Sequence, residues 1–434
     1  MERKTSPAGR LIPALLLTAG VFALTCLTVL RFQTVMSDRA ADYLAHSLWA
    51  VGLSPAQVLS SFYDGSEHLW HILMRLMFRL TGNLWLSAAL VTAAANAAAY
   101  LLLFLLTGRV LPEKCPAWVR ALLMFAVFVA GALWLPGWRY YAFAGTANTW
   151  HNPTNLMVRP FALAVFYMTV RIYERRRGEG QAFSFRGGFA AQFRQPVYRW
   201  WELILYPLCI LFSVYAKPSF LQFFAPAILL FLLWDAIRTR GMLLPFCLKL
   251  ALAYIPAGLI LLTQFTSFFS GGVSLPAAGE AEAAAASASA GVAVYFLQPS
   301  FAGAGELLLR LGELLCRILR VSAFPLFLLC IAPRRFLSCA ACRLGLTGAA
   351  VGRLEHIFLH ETGSRASHGN FQWGQYLSAW VLWCAAMELF SSLIREDSAA
   401  GRLARRIGLP LLGWHLLSGA AYLAAIFRGG DYFI

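Results

Sequence analysis

Residues 11–46 read LIPALLLTAGVFALTCLTVLRFQTVMSDRAADYLAH and join a long apolar run to a short acidic segment. The run that begins at Leu11 is about 20 residues long, enough for a helix to cross a hydrocarbon core of ~30 Å. A backbone surrounded by lipid must bond its own polar groups, so the run predicts a transmembrane helix. It lacks a small-x-small cleavage site, and we therefore interpret it as a retained span and not as a signal peptide.

The composition extends this interpretation to the whole chain of 434 residues. Charged residues make up 13% and the mean hydropathy is +0.64, whereas soluble domains carry roughly 25% charged residues. We predict an all-α polytopic membrane protein, a single integral-membrane domain over residues 1–434, with about 11 transmembrane helices and a range of roughly 10–13. The predicted spans are 11–31, 84–107, 118–136, 156–173, 201–216, 219–237, 243–263, 315–332, 344–360, 373–394 and 408–427.

The net charge of +16 comes mainly from arginines clustered between apolar runs, for example in residues 171–199 and 395–406. If the spans alternate, these clusters fall on one side, which the positive-inside rule assigns to the cytoplasm. This distribution argues against nucleic acid as a partner. It predicts an integral plasma membrane protein with a cytoplasmic N-terminus and an extracytoplasmic C-terminus.

The other side receives most of the histidines, asparagines and acidic residues outside the basic loops. It holds a first external loop, 32–83, with amphipathic helices, and the segments 137–155 and 361–374. It also holds an external loop at 264–314, whose Ala/Ser-rich composition offers little to bury and predicts partial mobility. Such segregation predicts a functional site at the outer membrane–water boundary.

The segment SDRAADYLAH, residues 37–46, spaces Asp38, Asp42 and His46 four apart. In a helix these positions share one face, and Ser37 is a suitable N-cap. The face is either solvated or the wall of an active site. We favour Asp42 over Asp38 as a catalytic carboxylate, because Asp38 in the first turn already complements the helix dipole.

The segment YDGSEHLWHIL, residues 63–73, brings Glu67, His68 and His71 within one helical turn. The two histidines, with Asp42 or Glu67, would suit a divalent metal. They would also suit hydrogen bonding to a phosphate, or a purely interfacial position. We predict no obligatory cofactor, with a divalent metal as the alternative.

The segment NTWHNPTN, residues 148–155, places His151 and Asn152 before a proline that starts a helix. A helix N-terminus presents free N–H groups to an anion. Arg159 follows inside the span and needs either a ligand, such as a phosphate, or an internal partner. Lys217 is a second cation at the membrane boundary, for which snorkelling to the interface is the alternative.

The segment ETGSRASHGNFQWG, residues 361–374, carries Glu361, Arg365, His368 and Asn370. Charged residues beside an interfacial tryptophan are typical of a lipid-head or sugar subsite, although Glu361 and Arg365 would also form an i, i+4 pair. His415, inside the last span, is either functional or bonded to a neighbouring helix.

The order of these features resembles the GT-C superfamily of membrane glycosyltransferases: an N-terminal span, an external loop opening with Asp38 and Asp42, then a bundle with further external loops. The resemblance implies a polyprenyl-phosphate-linked sugar as donor, membrane lipids as surroundings and an acidic residue, Asp42 or Asp38, as base. By charge and side, Arg159, Lys217 and Arg365 would hold the donor phosphate. The polar segments also resemble stretches of multi-pass proteins of Gram-positive bacteria.

These features favour an inverting glycosyltransferase that acts at the outer membrane face on a cell-envelope acceptor. A carboxylate near the acceptor hydroxyl would take its proton, and cations would stabilise the departing phosphate. Two alternatives stay open. One is a transporter or flippase for a lipid-linked or anionic solute, and the other is a non-catalytic component of surface-polymer assembly.

Overall fold

The computed structural model describes most of the chain. The described residues are 7–35, 41–64, 68–107, 115–136, 146, 148–177, 188–268, 273–274, 291–294, 304–362 and 370–429. Asp38, Glu67, Arg365 and His368 lie outside these ranges, and so does most of the loop predicted at 264–314.

The described chain is almost entirely helical. The helices are α1 (Pro7–Val35), α2 (Ala41–Gly52), α3 (Pro55–Asp64), α4 (Leu69–Thr81), α5 (Leu84–Thr107), α6 (Ala117–Val129), α7 (Pro153–Arg177), α8 (Gly188–Gln192), α9 (Trp200–Ala216), α10 (Ser219–Arg238), α11 (Leu244–Leu252), α12 (Ile255–Phe268), α13 (Ala304–Ile331), α14 (Pro333–Ser338), α15 (Ala340–Phe358), α16 (Phe371–Leu393), α17 (Ala399–Leu403) and α18 (Leu409–Phe427). A π-helical turn, Ala404–Gly408, joins α17 to α18.

Seven of the described helices are long and apolar enough to cross a membrane, or eight if the bent pair α11 and α12 forms one span. The all-α polytopic prediction is thus confirmed in its general form, whereas the count of about 11 is not. Every predicted span coincides with a helix, but α6 and α9 are short, and α11 and α12 meet at 58°. Helix α15 carries Arg353, Glu355 and His356, and it is not among the helices that are long and apolar enough to cross a membrane.

Helix α16 lies at the centre of the bundle and packs against α15, α10, α13, α6 and α7. It is apolar around most of its circumference and almost wholly buried, as expected for an internal helix. Helices α1, α5, α7 and α9 pack one against the next on one flank. This arrangement leaves the start of α16 beside the start of α7.

The segment between α1 and α5, predicted as the first external loop, contains three helices, α2, α3 and α4. Helix α2 packs against α4 and α5, and α4 packs against α5, α7 and α9. Trp70 of α4 is fully buried, and its indole N–H donates to Thr92 of α5 at 3.0 Å. These contacts hold the start of α2 next to the start of α7.

A small mixed sheet, which the sequence did not predict, lies beside these helix ends. Strand β1 (Val273–Ser274) pairs in parallel with β2 (Gly291–Val294), and β2 pairs antiparallel with β3 (Leu359–Thr362). The register places Val292 opposite Glu361. The sheet thereby positions Glu361 near the start of α16.

Candidate functional site

The starts of α2 and α7 meet through two polar side chains. Asn152 Nδ2 donates a hydrogen bond of 3.1 Å to Asp42 Oδ2. Helix α2 begins at Ala41, so Asp42 itself stands in the first turn and complements the helix dipole, the role that the sequence pattern predicts for Asp38. The dipole therefore gives no reason to prefer Asp42 over Asp38. The side chain of Asp42 remains 36% exposed, so the carboxylate is accessible to a reactant.

Asn152 is the centre of this cluster. Its Oδ1 accepts from the backbone N–H of Asn155 at 2.9 Å, which caps the first turn of α7. The same oxygen accepts from Thr154 Oγ1 at 2.9 Å and from Lys217 Nζ at 3.0 Å. A backbone N–H can only donate, so it fixes the amide orientation and directs Nδ2 towards Asp42.

Lys217 lies between α9 and α10 and is buried against the same helix start. Its ammonium donates to Asn152 and, at 2.9 Å, to Thr154. It also lies 4.5 Å from the ring centroid of Trp373, in cation–π geometry. Burial lowers the pKa of Lys217 to about 7, while the carboxylates of Asp42 and Glu361 act in the opposite direction.

His151 completes the wall beside Asp42. Its Nε2 lies 4.0 Å from Asp42 Oδ2, and its ring centroid is 5.4 Å from that of Trp373. Burial lowers the pKa of His151 to about 4, with Lys217 adding to the shift and Asp42 opposing it. The imidazole is therefore neutral at pH 7 and able to act as a hydrogen-bond partner.

Glu361 and Asn370 join β3 to the start of α16. The Asn370 backbone N–H donates to Glu361 Oε2 at 2.7 Å, and Asn370 Nδ2 donates to Glu361 Oε1 at 2.8 Å. The Glu361 carboxylate also interacts electrostatically with Lys217 and raises its pKa. The pair supports the segment that carries Trp373.

A second polar group consists of His46 of α2, His71 of α4 and His68, which directly precedes α4. His46 Nδ1 and His71 Nε2 are 2.8 Å apart, and the ring of His68 is 5.4 Å from that of His71. Burial is the main cause that lowers the pKa of His46 to about 3, and His71 and Lys217 lower it further. No three His, Cys, Asp or Glu residues in the described part of the chain are arranged to hold a metal ion.

Arg159 lies deeper in the bundle and is 1% exposed. Its two terminal nitrogens donate to Asn96 Oδ1 at 2.9 Å and to Asn148 Oδ1 at 3.1 Å. Its guanidinium also stacks on Trp380, 4.6 Å from the ring centroid. Two amide oxygens inside the bundle are therefore its partners, and the geometry matches the internal-partner alternative.

His415 also has an internal partner, because its Nδ1 is 2.7 Å from the carbonyl oxygen of Gly131. The structure brings together nine of the predicted site residues: Asp42, His46, His68, His71, His151, Asn152, Lys217, Glu361 and Asn370.

Sequence reasoning did not single out Thr154 or Asn96. Thr154 follows the Asn-Pro that starts α7, which marks it as part of a polar first turn. Asn96 is the one polar side chain in the run AAANAAA, residues 93–99, and that isolation was its only signal. A cavity of about 410 Å³ lies in a different part of the fold, between the start of α9 and the end of α11. Its lining includes Trp200 and Lys249.

Comparison of the chain with protein-family models, curated proteins and solved structures finds no significant match in any of the three. The resemblance to GT-C glycosyltransferases stays a prediction.

Proposed function

We propose that the protein is a membrane glycosyltransferase that moves a sugar from a polyprenyl-phosphate donor to a cell-envelope acceptor at the outer membrane face. One observation carries the proposal: an accessible carboxylate, Asp42, is joined through one amide, Asn152, to a buried cation, Lys217. A carboxylate and a cation set apart by one side chain match the two charges that the reaction requires.

In the proposed reaction, Asp42 accepts the proton of the acceptor hydroxyl as the acceptor oxygen attacks the anomeric carbon. The bond between that carbon and the phosphate oxygen breaks with inversion, and its electron pair leaves with the phosphate. Lys217 stabilises the charge that develops there. Asn152 holds the two groups apart and fixes the orientation of Asp42.

Trp373 supports the same assignment. Its ring lies against both Lys217 and His151, and an aromatic face beside polar groups suits the apolar face of a sugar ring. His151, neutral at pH 7, is a hydrogen-bond partner for a sugar hydroxyl.

The test is transfer from a labelled polyprenyl-phosphate sugar in proteoliposomes, with wild type, Asp42→Asn and Asp397→Asn compared. Asp42→Asn should lower the rate by about 10²–10⁴-fold because the base is lost. Asp397 is fully exposed on the connection before α17, so Asp397→Asn should keep the wild-type rate. Asp38→Asn is the second comparison: full activity in both Asp42→Asn and Asp38→Asn would refute the base assignment.

Transport of a lipid-linked solute is the second candidate, because Glu388 is 1% exposed within the spanning helix α16. An ionisable residue buried in a spanning helix commonly marks a translocation pathway. Uptake of a labelled lipid-linked sugar into protein-containing vesicles, without transfer and with loss in Glu388→Gln, would favour transport over glycosyl transfer.

A further inference from the structure

Arg353 of α15 is buried in a way that the Asp42 cluster does not explain. Its side chain is 9% exposed, and neither terminal nitrogen has a hydrogen-bond partner within the described part of the chain. A buried guanidinium without partners is costly, since both its charge and its donors are removed from water. Such a group calls for a ligand or another specific reason.

The groups that interact electrostatically with Arg353 are a second guanidinium, a phenol and an imidazole. Arg317 of α13 and the phenol of Tyr376 on α16 both interact electrostatically with Arg353. His356, three residues further along α15, interacts with Arg353 and Arg317. The packing therefore brings the guanidiniums of Arg353 and Arg317 within electrostatic range of each other between α13, α15 and α16.

Two carboxylates lie on the same helices, Glu313 on α13 and Glu355 on α15, and neither is bonded to the terminal nitrogens of Arg353. Glu313 forms an i, i+4 ion pair with Arg317. Glu355 is two residues from Arg353. Its Oε2 lies 3.0 Å from the position that a Cβ at Gly374 would occupy, and the carbonyl oxygen of Ser219 on α10 is close to the same position. The charge of Arg353 is left for an anion from outside the described chain.

The backbones of α15 and α16 approach closely at the neighbouring residue. A Cβ at Gly352 would lie 2.4 Å from Ser378 Oγ and 3.0 Å from the Gly374 carbonyl oxygen. Arg353 is therefore held at a tight helix–helix contact. Its position is set by backbone packing and not by a partner for its own charge.

We infer that Arg353, with Arg317 and Tyr376, forms a binding site for a phosphate group. A guanidinium binds phosphate through two parallel N–H···O bonds, and a phenol donates a third bond to a non-bridging oxygen. Arg317, which is ion-paired with Glu313, offers further N–H donors to the same anion. The phosphate comes either from an anionic lipid headgroup or from a soluble phosphate compound.

The site is adjacent to the Asp42 cluster but separate from it. The rings of Tyr376 and Trp373 are 5.4 Å apart, and Trp373 is the residue that contacts Lys217 and His151. The inference does not depend on the proposed function, because binding is measured without turnover.

The test measures thermal unfolding of the full-length protein in a maltoside detergent, titrated with inorganic phosphate or with phosphatidylglycerol. The proteins compared are wild type, Arg353→Met, Arg353→Lys and Arg79→Gln. Arg79 is an exposed arginine of α4 and serves as the matched control. Wild type and Arg79→Gln should show the same saturable rise in Tm with one of the two ligands. Saturation by inorganic phosphate identifies a soluble ligand, and saturation by phosphatidylglycerol alone identifies a headgroup.

Arg353→Met should bind at least about tenfold more weakly, the loss expected for hydrogen bonds to a charged group. Without ligand it should be at least as stable as wild type, because the substitution removes an unpaired buried charge. Arg353→Lys keeps the positive charge but cannot form the bidentate contact of a guanidinium, so it should also bind more weakly. This variant keeps the test decisive if the methionine variant does not fold. The inference is overturned if neither ligand raises the Tm of wild type saturably, or if the Arg353 variants bind as tightly as wild type.

Discussion

Asn152 Nδ2 donates to Asp42 Oδ2 over 3.1 Å, although 110 positions separate the two residues in the chain. The bond joins the first turn of α2 to the residue that caps α7. Because the opposite end of the same amide binds Lys217, one side chain couples the carboxylate, the cation and the helix start.

Asn152→Ala should lower the free energy of unfolding by roughly 1–3 kcal/mol, since it removes the cap of α7 and one of the partners of a buried ammonium. Thermal unfolding in detergent measures the change. Gln57→Ala is the control, because Gln57 makes a comparable side-chain bond, to the backbone N–H of Ser54, at an exposed helix start. An unchanged Tm in Asn152→Ala would contradict the central position of this amide.

Lys217 should make stability depend on pH. The pKa of Lys217 is about 7 in the folded protein and 10.5 as its ordinary value, so the unfolded chain binds more protons between these values. The free energy of unfolding should therefore rise with pH from about 7 to 10 on account of this group. Lys217→Met should flatten that rise, measured as the difference in Tm between pH 7 and pH 9.

The same pKa sets the expected activity profile. Above about pH 7 Lys217 loses its proton and no longer stabilises a departing phosphate, so transfer should fall as the pH increases. Lys217→Arg keeps its charge and should move the alkaline decline to higher pH. A decline at the same pH in both proteins would assign it to another group.

Arg159→Lys distinguishes the two roles predicted for Arg159. A lysine cannot reach both Asn96 and Asn148 with the fork geometry that the guanidinium uses. We expect a loss of roughly 1–3 kcal/mol in the free energy of unfolding, with little change in the KM for the donor measured on the folded fraction. A raised KM with an unchanged Tm would instead indicate a phosphate contact.

Gly419→Ala should destabilise the contact between α18 and the end of α6. A Cβ at Gly419 would lie 1.8 Å from the Val129 carbonyl oxygen, so the helices must separate, at a cost of about 1–3 kcal/mol. Gly413 lies on the same helix with nothing within 4 Å of its Cβ position. Gly413→Ala should keep or raise the Tm, because alanine is the better helix former.

The membrane-embedded helical fold was predictable from particular runs of sequence. The apolar stretch from Leu11 and its later counterparts each became helices, because a backbone in lipid has no other way to bond its polar groups. The span count was less predictable. The break between α11 and α12 and the shortness of α6 depend on neighbours that a hydropathy pattern does not include.

The positions of Asp42, His151, Asn152, Lys217 and Glu361 in polar segments between apolar runs could be read directly from the chain. The tertiary structure alone decided that these segments meet, because the packing of α2 and α4 on α5 and α7 sets which helix ends are neighbours. Packing also gives Arg159 and Arg353 different surroundings. Both are arginines in helices, but Arg159 is surrounded by amides, whereas Arg353 faces another cation. Local sequence specifies the charge of a side chain, and only packing specifies its partner.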